Sequence, residues 1–446
     1  MFDNICAKAT PYGASAIAII RCSGPDAIKL VNQIFKGHNL TKVASHTMHY
    51  GRIVDGNEII DEVLCNIFIS PNSFDGENMV EINCHGGVLV SSRILQLLLR
   101  QGFRMAEPGE FSKRAFLNHK IDLTQAEAIM DVIHAENNLA LKAGQNALRK
   151  STTKLILNFR DKLLDILAKI EVNIDYPEYE DSIEVTHTFL LPVLEDIQKE
   201  MDVILQNSTI SNLAIHGIKT AIVGKPNVGK SSILNMLLDE DKAIVTDIPG
   251  TTRDVIEGSL TVGDITLHLM DTAGIHQSDD VVESIGIDRS AKAINQADLV
   301  LVVLDVSAPL TEEDKEILHM TKDKNRIVIG NKIDKPKVVD FDGALYLSAK
   351  NKQGLKDLIQ SIKKVTNIYE FDIDEGKYLA NQRQIHLMQH AKEALKQAHT
   401  ACQAGMDIDL IEIDIKQAFD DLGAITGQST PEELITALFT KFCLGK

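Results

Sequence analysis

Tryptophan is absent from this sequence of 446 residues, and aromatic residues make up only 5% of it. A surface of aromatic side chains that stacks the bases of single-stranded nucleic acid is therefore not expected. Acidic residues outnumber basic ones by 63 to 46, which gives a net charge of −17. That charge argues against non-specific coating of nucleic acid, which requires many phosphate contacts, although a local basic surface is compatible with it.

Membrane segments and cysteine motifs are also missing. The sequence contains no run of about 18 apolar residues, and its N-terminus lacks a basic segment followed by an apolar one. These absences predict a cytoplasmic protein without a membrane segment. The six cysteines show no C-x-x-C spacing, so we expect reduced thiols, mostly in the core, and neither a zinc site nor a disulfide framework.

The strongest motif is a glycine-rich loop between a short apolar strand and a helix. Residues 224–231 read G-K-P-N-V-G-K-S, the pattern of a phosphate-binding loop. Its glycines let backbone N–H groups face phosphates at the positive N-terminus of a helix. Lys230 is expected to act on the β- and γ-phosphates, and the Ser231 hydroxyl is expected to bind Mg²⁺. The sequence therefore predicts a nucleoside triphosphate site.

Three further segments, at residues 271–274, 331–334 and 348–350, predict that the base is guanine. Asp271 can hold Mg²⁺ through water, and Gly274 lets the backbone approach the γ-phosphate. Asp334 can accept hydrogen bonds from guanine N1–H and N2–H₂, donors that adenine lacks on that edge. The predicted GTP contacts from these motifs are Asn227, Val228, Gly229, Lys230, Ser231, Ser232, Asp271, Thr272, Ala273, Gly274, Asn331, Lys332, Ile333, Asp334, Ser348, Ala349 and Lys350.

The regions around these motifs predict a multidomain chain. Residues 1–118 alternate short strands and helices, as in an α+β domain, and residues 215–368 form an α/β P-loop GTPase domain of the Ras-like type. Residues 119–214 and 369–446 are helical in pattern, so the GTPase domain is inserted into a discontinuous all-α domain. We expect a capping box at residues 124–127 and a helix from about Pro192 to Gln206.

Motifs outside the GTPase domain carry a more specific resemblance. They are T-P-Y-G at 10–13, R-C-S-G at 21–24, M-V-E-I with H-G-G between 79 and 87, P-G-E-F-S-K-R-A-F-L-N at 108–118 and C-L-G-K at 443–446. With the phosphate loop, these motifs make the whole chain resemble the MnmE (TrmE) family of tRNA modification GTPases. Two segments depart from the family pattern, S-F-D-G-E-N at 73–78 and A-S-A at 14–16.

The resemblance implies a function in tRNA modification. It implies a homodimer that works with an FAD-containing partner of the MnmG (GidA) family. Together they would add a carboxymethylaminomethyl or aminomethyl group to C5 of the wobble uridine of certain tRNAs. The N-terminal domain would bind a 5-formyl-tetrahydrofolate-type cofactor through Arg21, Glu81 and Lys120, with Lys446 approaching it, because arginine and carboxylate groups suit the ends of a folate. Cys443 would take part in the modification.

The resemblance also implies how GTP is hydrolysed. Ile275 stands where Ras-like proteins have a water-orienting glutamine, and the family points to Glu283 instead, with Gln277 as the alternative. A K⁺ ion would be held by Asn227 and by the loop residues Thr246, Ile248 and Thr251, while the Thr252 hydroxyl would reach Mg²⁺. The loop adds seven predicted GTP contacts, namely Thr246, Asp247, Ile248, Pro249, Gly250, Thr251 and Thr252.

Other interpretations stay open at this point. Arg21, Glu81 and Lys120 are also compatible with ordinary surface positions, Cys443 with an incidental thiol, and Asn227 with a residue that only caps its loop. Two other functions are a GTPase switch in ribosome assembly and a folate-dependent one-carbon transferase regulated by GTP. A ribosome-assembly factor would carry an RNA-binding module, and no KH-type G-x-x-G stands in a basic setting here.

Overall fold

The computed structural model describes residues 3–175, 187–238, 244–246, 258–270, 292–368, 373, 376–428, 430–442 and 445. These residues form two compact units, Met1–Met130 with Thr426–Lys446 and Asp131–Ile425. Several predicted site residues lie outside the described residues: Asp247 to Thr252, Asp271 to Gly274, Glu283, Cys443 and Lys446. The domain boundaries drawn from the sequence stay a prediction.

The strands in the described part of the chain are β1 Ile5–Lys8, β2 Ile17–Ser23, β3 Phe35–Lys36, β4 Thr47–Asp55, β5 Glu58–Phe68, β6 Met79–His85, β7 Arg104–Met105, β8 Ile218–Val223, β9 Ile244–Thr246, β10 Gly258–Val262, β11 Ile265–Met270, β12 Leu299–Asp305, β13 Arg326–Asn331 and β14 Leu345–Leu347. The helices are α1 Ala27–Ile34, α2 Val88–Arg100, α3 Glu110–Leu117, α4 Leu123–Ile133, α5 Asn138–Leu148, α6 Ser151–Asp175, α7 His187–His216, α8 Lys230–Leu238, α9 Glu312–Met320, α10 Leu355–Val365, α11 Gln382–Gln403, α12 Ile408–Thr426 and α13 Glu432–Phe439.

The first unit is built on a sheet of order β3-β4-β5-β6-β2-β1-β7. Alternating residues of its strands face a core shared with α1 and α2, as in β2, where Ala18, Ile20 and Cys22 are buried. At the end of the chain, α13 packs against α3, and a Cβ added to Gly109 would lie 2.3 Å from the Phe439 carbonyl oxygen. The expected α+β fold of the N-terminal part is confirmed.

The capping bonds at the start of helix α4 differ from the predicted ones. The expected capping box at Thr124 and Glu127 is wrong, because Thr124 already lies inside α4. The reciprocal bonds are made two residues earlier: Gln125 N donates to Asp122 Oδ1 at 2.9 Å, and Asp122 N donates to Gln125 Oε1 at 3.1 Å. An aspartate and a glutamine thus do what a threonine and a glutamate were expected to do.

The helical part of the second unit has one core that draws on both sides of the GTPase domain. Ile156 and Leu163 of α6 and Leu194 of α7 share it with Met388 of α11 and Ile415 of α12. The predicted discontinuous helical domain is therefore confirmed. The predicted helix from Pro192 to Gln206 was too short, since α7 runs from His187 to His216 with Pro192 inside it. A proline near a helix start removes only one intrahelical bond, so the apolar face continues through it.

The second sheet has the order β14-β13-β12-β8-β11-β10-β9. Its strands β14, β13, β12, β8 and β11 are parallel neighbours, while β10 is antiparallel to β11 and β9. Strand β12 is almost wholly buried because apolar clusters cover both faces. This α/β arrangement is the predicted P-loop fold, and it brings the carboxyl ends of β8, β12, β13 and β14 to one edge.

Two expectations about composition can be checked on this fold. Five cysteines among the described residues are free and buried: Cys6, Cys22, Cys65, Cys84 and Cys402. Burial raises the pKa of the Cys6 thiol to about 12, so this thiol is not ionised at neutral pH. Among the described helices, none combines the length and the apolar character that a membrane span needs.

Candidate nucleotide-binding site

The phosphate loop joins β8 to α8 at the carboxyl edge of the sheet. Gly224 has φ +152°, and a Cβ added there would lie 2.4 Å from the Val303 carbonyl oxygen. Gly229 has φ +104°, and a Cβ there would lie 2.2 Å from Asn331 Nδ2. Both positions need glycine, because a side chain would be strained and would collide with a neighbouring strand.

Lys230, the first residue of α8, is half-buried and folds over its own loop. Its Nζ donates to the carbonyl oxygens of Gly224 at 2.7 Å and Lys225 at 2.9 Å. Burial lowers the pKa of Lys230 below its usual value of 10.5. The ammonium is therefore bound to the first two residues of the loop. Ser231 and Ser232 follow Lys230 in the first turn of α8, and both are exposed.

Asn331 connects this loop to the segment after β14. Its Nδ2 donates to the Val228 carbonyl oxygen at 2.8 Å, and its Oδ1 accepts from Ala349 N at 3.1 Å. Val228 and Ala349 are themselves buried. One amide thus joins three of the predicted GTP segments at the edge where parallel strands bind ligands.

Lys332 adds a second connection between the segment 331–334 and the phosphate loop. Its Nζ donates to the Asn227 carbonyl oxygen at 2.7 Å and forms an ion pair with Asp305 Oδ2 at 2.6 Å. Asn227 and Lys332 both have left-handed backbones, with φ +63° and +72°. Such conformations cost energy for residues other than glycine and concentrate at functional sites.

Asp334 and Ser348 meet at the predicted base-binding end of the site. Ser348 Oγ donates to Asp334 Oδ1 at 2.7 Å, and this bond lowers the pKa of Asp334 below its usual value of 3.8. Asp334 is exposed and ionised, so it can accept hydrogen bonds from a base. Ile333, half-buried, and Lys350, exposed, flank this pair.

The structure therefore brings together the predicted residues of the phosphate loop, of 331–334 and of 348–350. Thr246 ends β9, and the remaining predicted contacts in 247–252 and 271–274 lie outside the described residues. Sequence reasoning missed Asp305 and Asp314, which hold lysines of the site. The available signal for Asp305 was its place directly after the apolar run of β12.

The residues predicted to bind folate lie on the first sheet. Arg21 and Glu81 are directly opposite on β2 and β6, and Arg21 Nε and Nη2 donate to Glu81 Oε1 at 3.0 and 2.8 Å. The Arg21 guanidinium lies 5.5 Å from the ring centroids of both Phe74 and Phe111. This arrangement joins a cation, a carboxylate and two aromatic rings in one place.

The other folate candidates have different surroundings. Lys120 is exposed, and its Nζ donates to the Pro71 carbonyl oxygen at 2.9 Å, in the loop between β5 and β6. Arg21 Nη1 donates to the Gly445 carbonyl oxygen at 3.3 Å. The end of the chain therefore reaches Arg21, although the side chains of Cys443 and Lys446 lie outside the described residues.

Two protein-family models match this chain. The family model described as the MnmE helical domain matches residues 123–443, and the one described as the GTP-binding protein TrmE N-terminus matches residues 4–120. The tRNA modification GTPase MnmE of Acholeplasma laidlawii (strain PG-8A) is 48% identical over 446 residues, the full length of both chains. This chain belongs to the MnmE family of GTPases.

Two other matches cover different shares of this chain. The MnmE of Lactococcus lactis subsp. lactis (strain IL1403) is 46% identical to this family member over 449 residues, which cover 100% of this chain and 99% of the other. Among solved structures, the G domain of the T. maritima FeoB iron transporter is 31% identical, with a TM-score of 0.25. It covers 33% of this chain and 98% of its own.

Proposed function

We propose that this chain hydrolyses GTP as a component of a tRNA-modifying complex. Membership of the MnmE family supports the proposal. The observation that carries it is the bridge made by Asn331 between Val228 and Ala349, because it gathers the phosphate-binding and base-binding segments around one edge of the sheet. Selection of guanine is supported by the ionised, exposed Asp334 beside Ser348.

Hydrolysis would use the charges and oxygen ligands of this loop. Lys230 would move from the carbonyl oxygens of its own loop to the β- and γ-phosphates. The Ser231 and Thr252 hydroxyls are hard oxygen ligands suited to Mg²⁺. The exposed side chain of Asn227 would supply an amide oxygen to K⁺. Thr246, Ile248 and Thr251 would supply the other K⁺ ligands. Glu283 would orient the attacking water.

A folate one-carbon donor is supported by the surroundings of Arg21. Two phenylalanine rings flank its guanidinium, and the paired Glu81 offers a carboxylate that suits the donor edge of a pterin. In this proposal the one-carbon unit reaches C5 of the wobble uridine with the help of an FAD-containing MnmG-family partner. The product would be a carboxymethylaminomethyl or aminomethyl group, and the complex would work in the cytoplasm. Lys446 would approach the folate, and Cys443 would take part in the modification.

A homodimer formed through the first sheet is supported by the face that α1 and α2 leave uncovered. Ile17, Met48 and Tyr50 are each 60% exposed, and Leu64 is 38% exposed. Tyr50 pairs directly with Leu64, and through β6 this face continues to β2. Exposed apolar patches of this kind mark interfaces, and Arg21 lies on the same face.

The test is the wobble-nucleoside content of tRNA from a deletion strain, measured by mass spectrometry. Reintroducing the full chain should restore the modified uridine, and reintroducing Lys230→Ala should not. Lys219→Ala, which changes an exposed lysine at the start of β8, is the matched control and should restore it. Unmodified wobble uridine in the strain that carries the full chain would reject the proposal. Equal GTP turnover of the purified protein in KCl and NaCl would reject the potassium site.

A further inference from the structure

The connection between β12 and α9 carries two carboxylates that hold lysines of the nucleotide site. Asp305 is the last residue of β12, and Asp314 lies in the first turn of α9. Neither residue belongs to the sequence motifs of the GTP site. Their contacts reach the phosphate loop at two separate points.

Asp314 holds the beginning of the loop. Its Oδ2 accepts from Lys225 Nζ at 2.7 Å, from Thr311 N at 2.9 Å and from Thr311 Oγ1 at 2.8 Å. The side chain of Asp314 is only 3% exposed, and that of Lys225 is 18% exposed. Burial raises the pKa of Asp314, but its bonds to Lys225 and Thr311 lower it more, so the net pKa is below 3.8.

Lys225 connects Asp314 to Lys230. While its ammonium is bound to Asp314, its carbonyl oxygen accepts from Lys230 Nζ at 2.9 Å. A shift of the Lys225 backbone would therefore change the position of the lysine that is proposed to act on the phosphates. The Lys225 side chain reaches Asp314 of α9 at 2.7 Å and the capping residue Thr311 at 3.4 Å.

Asp305 holds the middle of the loop in a similar way. Its Oδ1 accepts from Ser307 N at 2.9 Å and from Ser307 Oγ at 2.6 Å, which fixes the carboxylate. Its Oδ2 pairs with Lys332, whose Nζ also donates to the Asn227 carbonyl oxygen. Each carboxylate thus reaches a backbone segment of the loop through one lysine.

We propose that Asp305 and Asp314 are positioning residues for GTP hydrolysis, which hold the phosphate loop in its productive shape through Lys332 and Lys225. The inference rests on the proposed GTPase function and extends it to residues outside the nucleotide motifs. Neither carboxylate needs to touch GTP. Small displacements of a catalytic group are costly, about 10²-fold in rate for 1 Å, so holding the loop backbone in place affects turnover.

The experiment compares GTP hydrolysis by the full-length protein and its variants. Asp314→Asn, Asp305→Asn and Lys225→Ala should each lower kcat/KM about 10- to 100-fold. Lys225→Ala leaves the Thr311 cap of α9 intact, so it separates the loop contact from helix capping. Lys225→Arg keeps the ion pair and should recover most of the activity. Glu312→Gln, an exposed carboxylate of α9 paired with Lys315, is the control and should match the wild type.

The double variant Lys225→Ala/Asp314→Asn distinguishes positioning from general stabilisation. If the two residues act as one unit, the double variant loses no more kcat/KM than either single variant. Wild-type kcat/KM in the single variants, with only a lower melting temperature, would reduce both carboxylates to structural residues. A wild-type protein that hydrolyses no GTP would instead overturn the proposed function itself.

Discussion

Asn331 Nδ2 lies 2.8 Å from the Val228 carbonyl oxygen and donates a hydrogen bond to it within the candidate nucleotide site. The same side chain accepts from Ala349 N, and Asn331 is 3% exposed. Water cannot easily replace either partner at such a buried position, so both backbone groups depend on this amide. The phosphate loop and the segment after β14 are consequently held as one unit.

Asn331→Ala should weaken GDP binding about 10- to 100-fold. The change leaves a buried carbonyl and a buried N–H without their partner, which costs about 1–3 kcal/mol for each group. We expect only part of that cost, about 1.4–2.8 kcal/mol, to appear in the binding free energy, which corresponds to this loss of affinity. Titration with a fluorescent GDP analogue measures the effect. Asn235→Ala, at an exposed position of α8, is the control with the same loss of an amide. Equal affinities of the two variants would show that the bridge does not shape the site.

Gly229→Ala should abolish measurable GTP hydrolysis while the chain stays folded. The new Cβ would lie 2.2 Å from Asn331 Nδ2 at a backbone φ of +104°, so both the bridge and the loop must shift. Turnover and circular dichroism together check this expectation. Gly258→Ala adds the same methyl group in β10, where no atom lies within 4 Å of it, and should keep its activity. An active Gly229→Ala would mean that the loop tolerates the shift.

The gathering of the segments at the candidate nucleotide site could be predicted, because the residues that form it lie in contiguous motifs. A glycine loop between a strand and a helix fixes both the local conformation and its place at the sheet edge. The connections through Lys225, Asp305 and Asp314 could not be predicted, since they join residues far apart in sequence whose types fit ordinary surface positions. The start of α4 was misplaced for a local reason, because Asp122 and Thr124 are both good capping residues.

Asp334→Asn should lower the affinity for guanine nucleotides by roughly 10⁴-fold, the scale seen when a site loses its matched polar partner. An amide places a donor where the carboxylate accepts from guanine N1–H and N2–H₂. Calorimetry with GDP tests this, and Asp342→Asn, at an exposed residue of the same domain, is the control. Because the bond from Ser348 keeps the pKa of Asp334 below 3.8, wild-type selectivity for guanine should persist down to about pH 5. Retained GDP affinity in Asp334→Asn would remove this residue from the base site.

Arg114 is the buried cation of an ion-pair cluster in the first unit. It is 1% exposed and forms ion pairs of 2.8 Å with Asp3, Glu77 and Glu110. Arg114→Leu should destabilise this unit by about 3–5 kcal/mol at neutral pH, since it leaves carboxylates without their buried cation. Hydrogen exchange of the β2 and β6 amides measures the opening free energy. The control Arg93→Leu breaks an exposed pair with Glu58 and should leave the exchange of these amides nearly unchanged, because solvent screens exposed ion pairs.

The pH dependence of that difference tests its electrostatic origin. Burial raises the pKa of Glu110, but bonds from Arg104 and Arg114 outweigh it and keep the folded pKa below 4.5. Its contribution is therefore fully present above the unfolded value near 4.5 and is lost as the pH falls through the folded pKa. The gap between wild type and Arg114→Leu should narrow as the pH is lowered toward about 4, because protonated carboxylates no longer need the guanidinium. A gap that is constant with pH would mean that Arg114 stabilises the unit by packing alone.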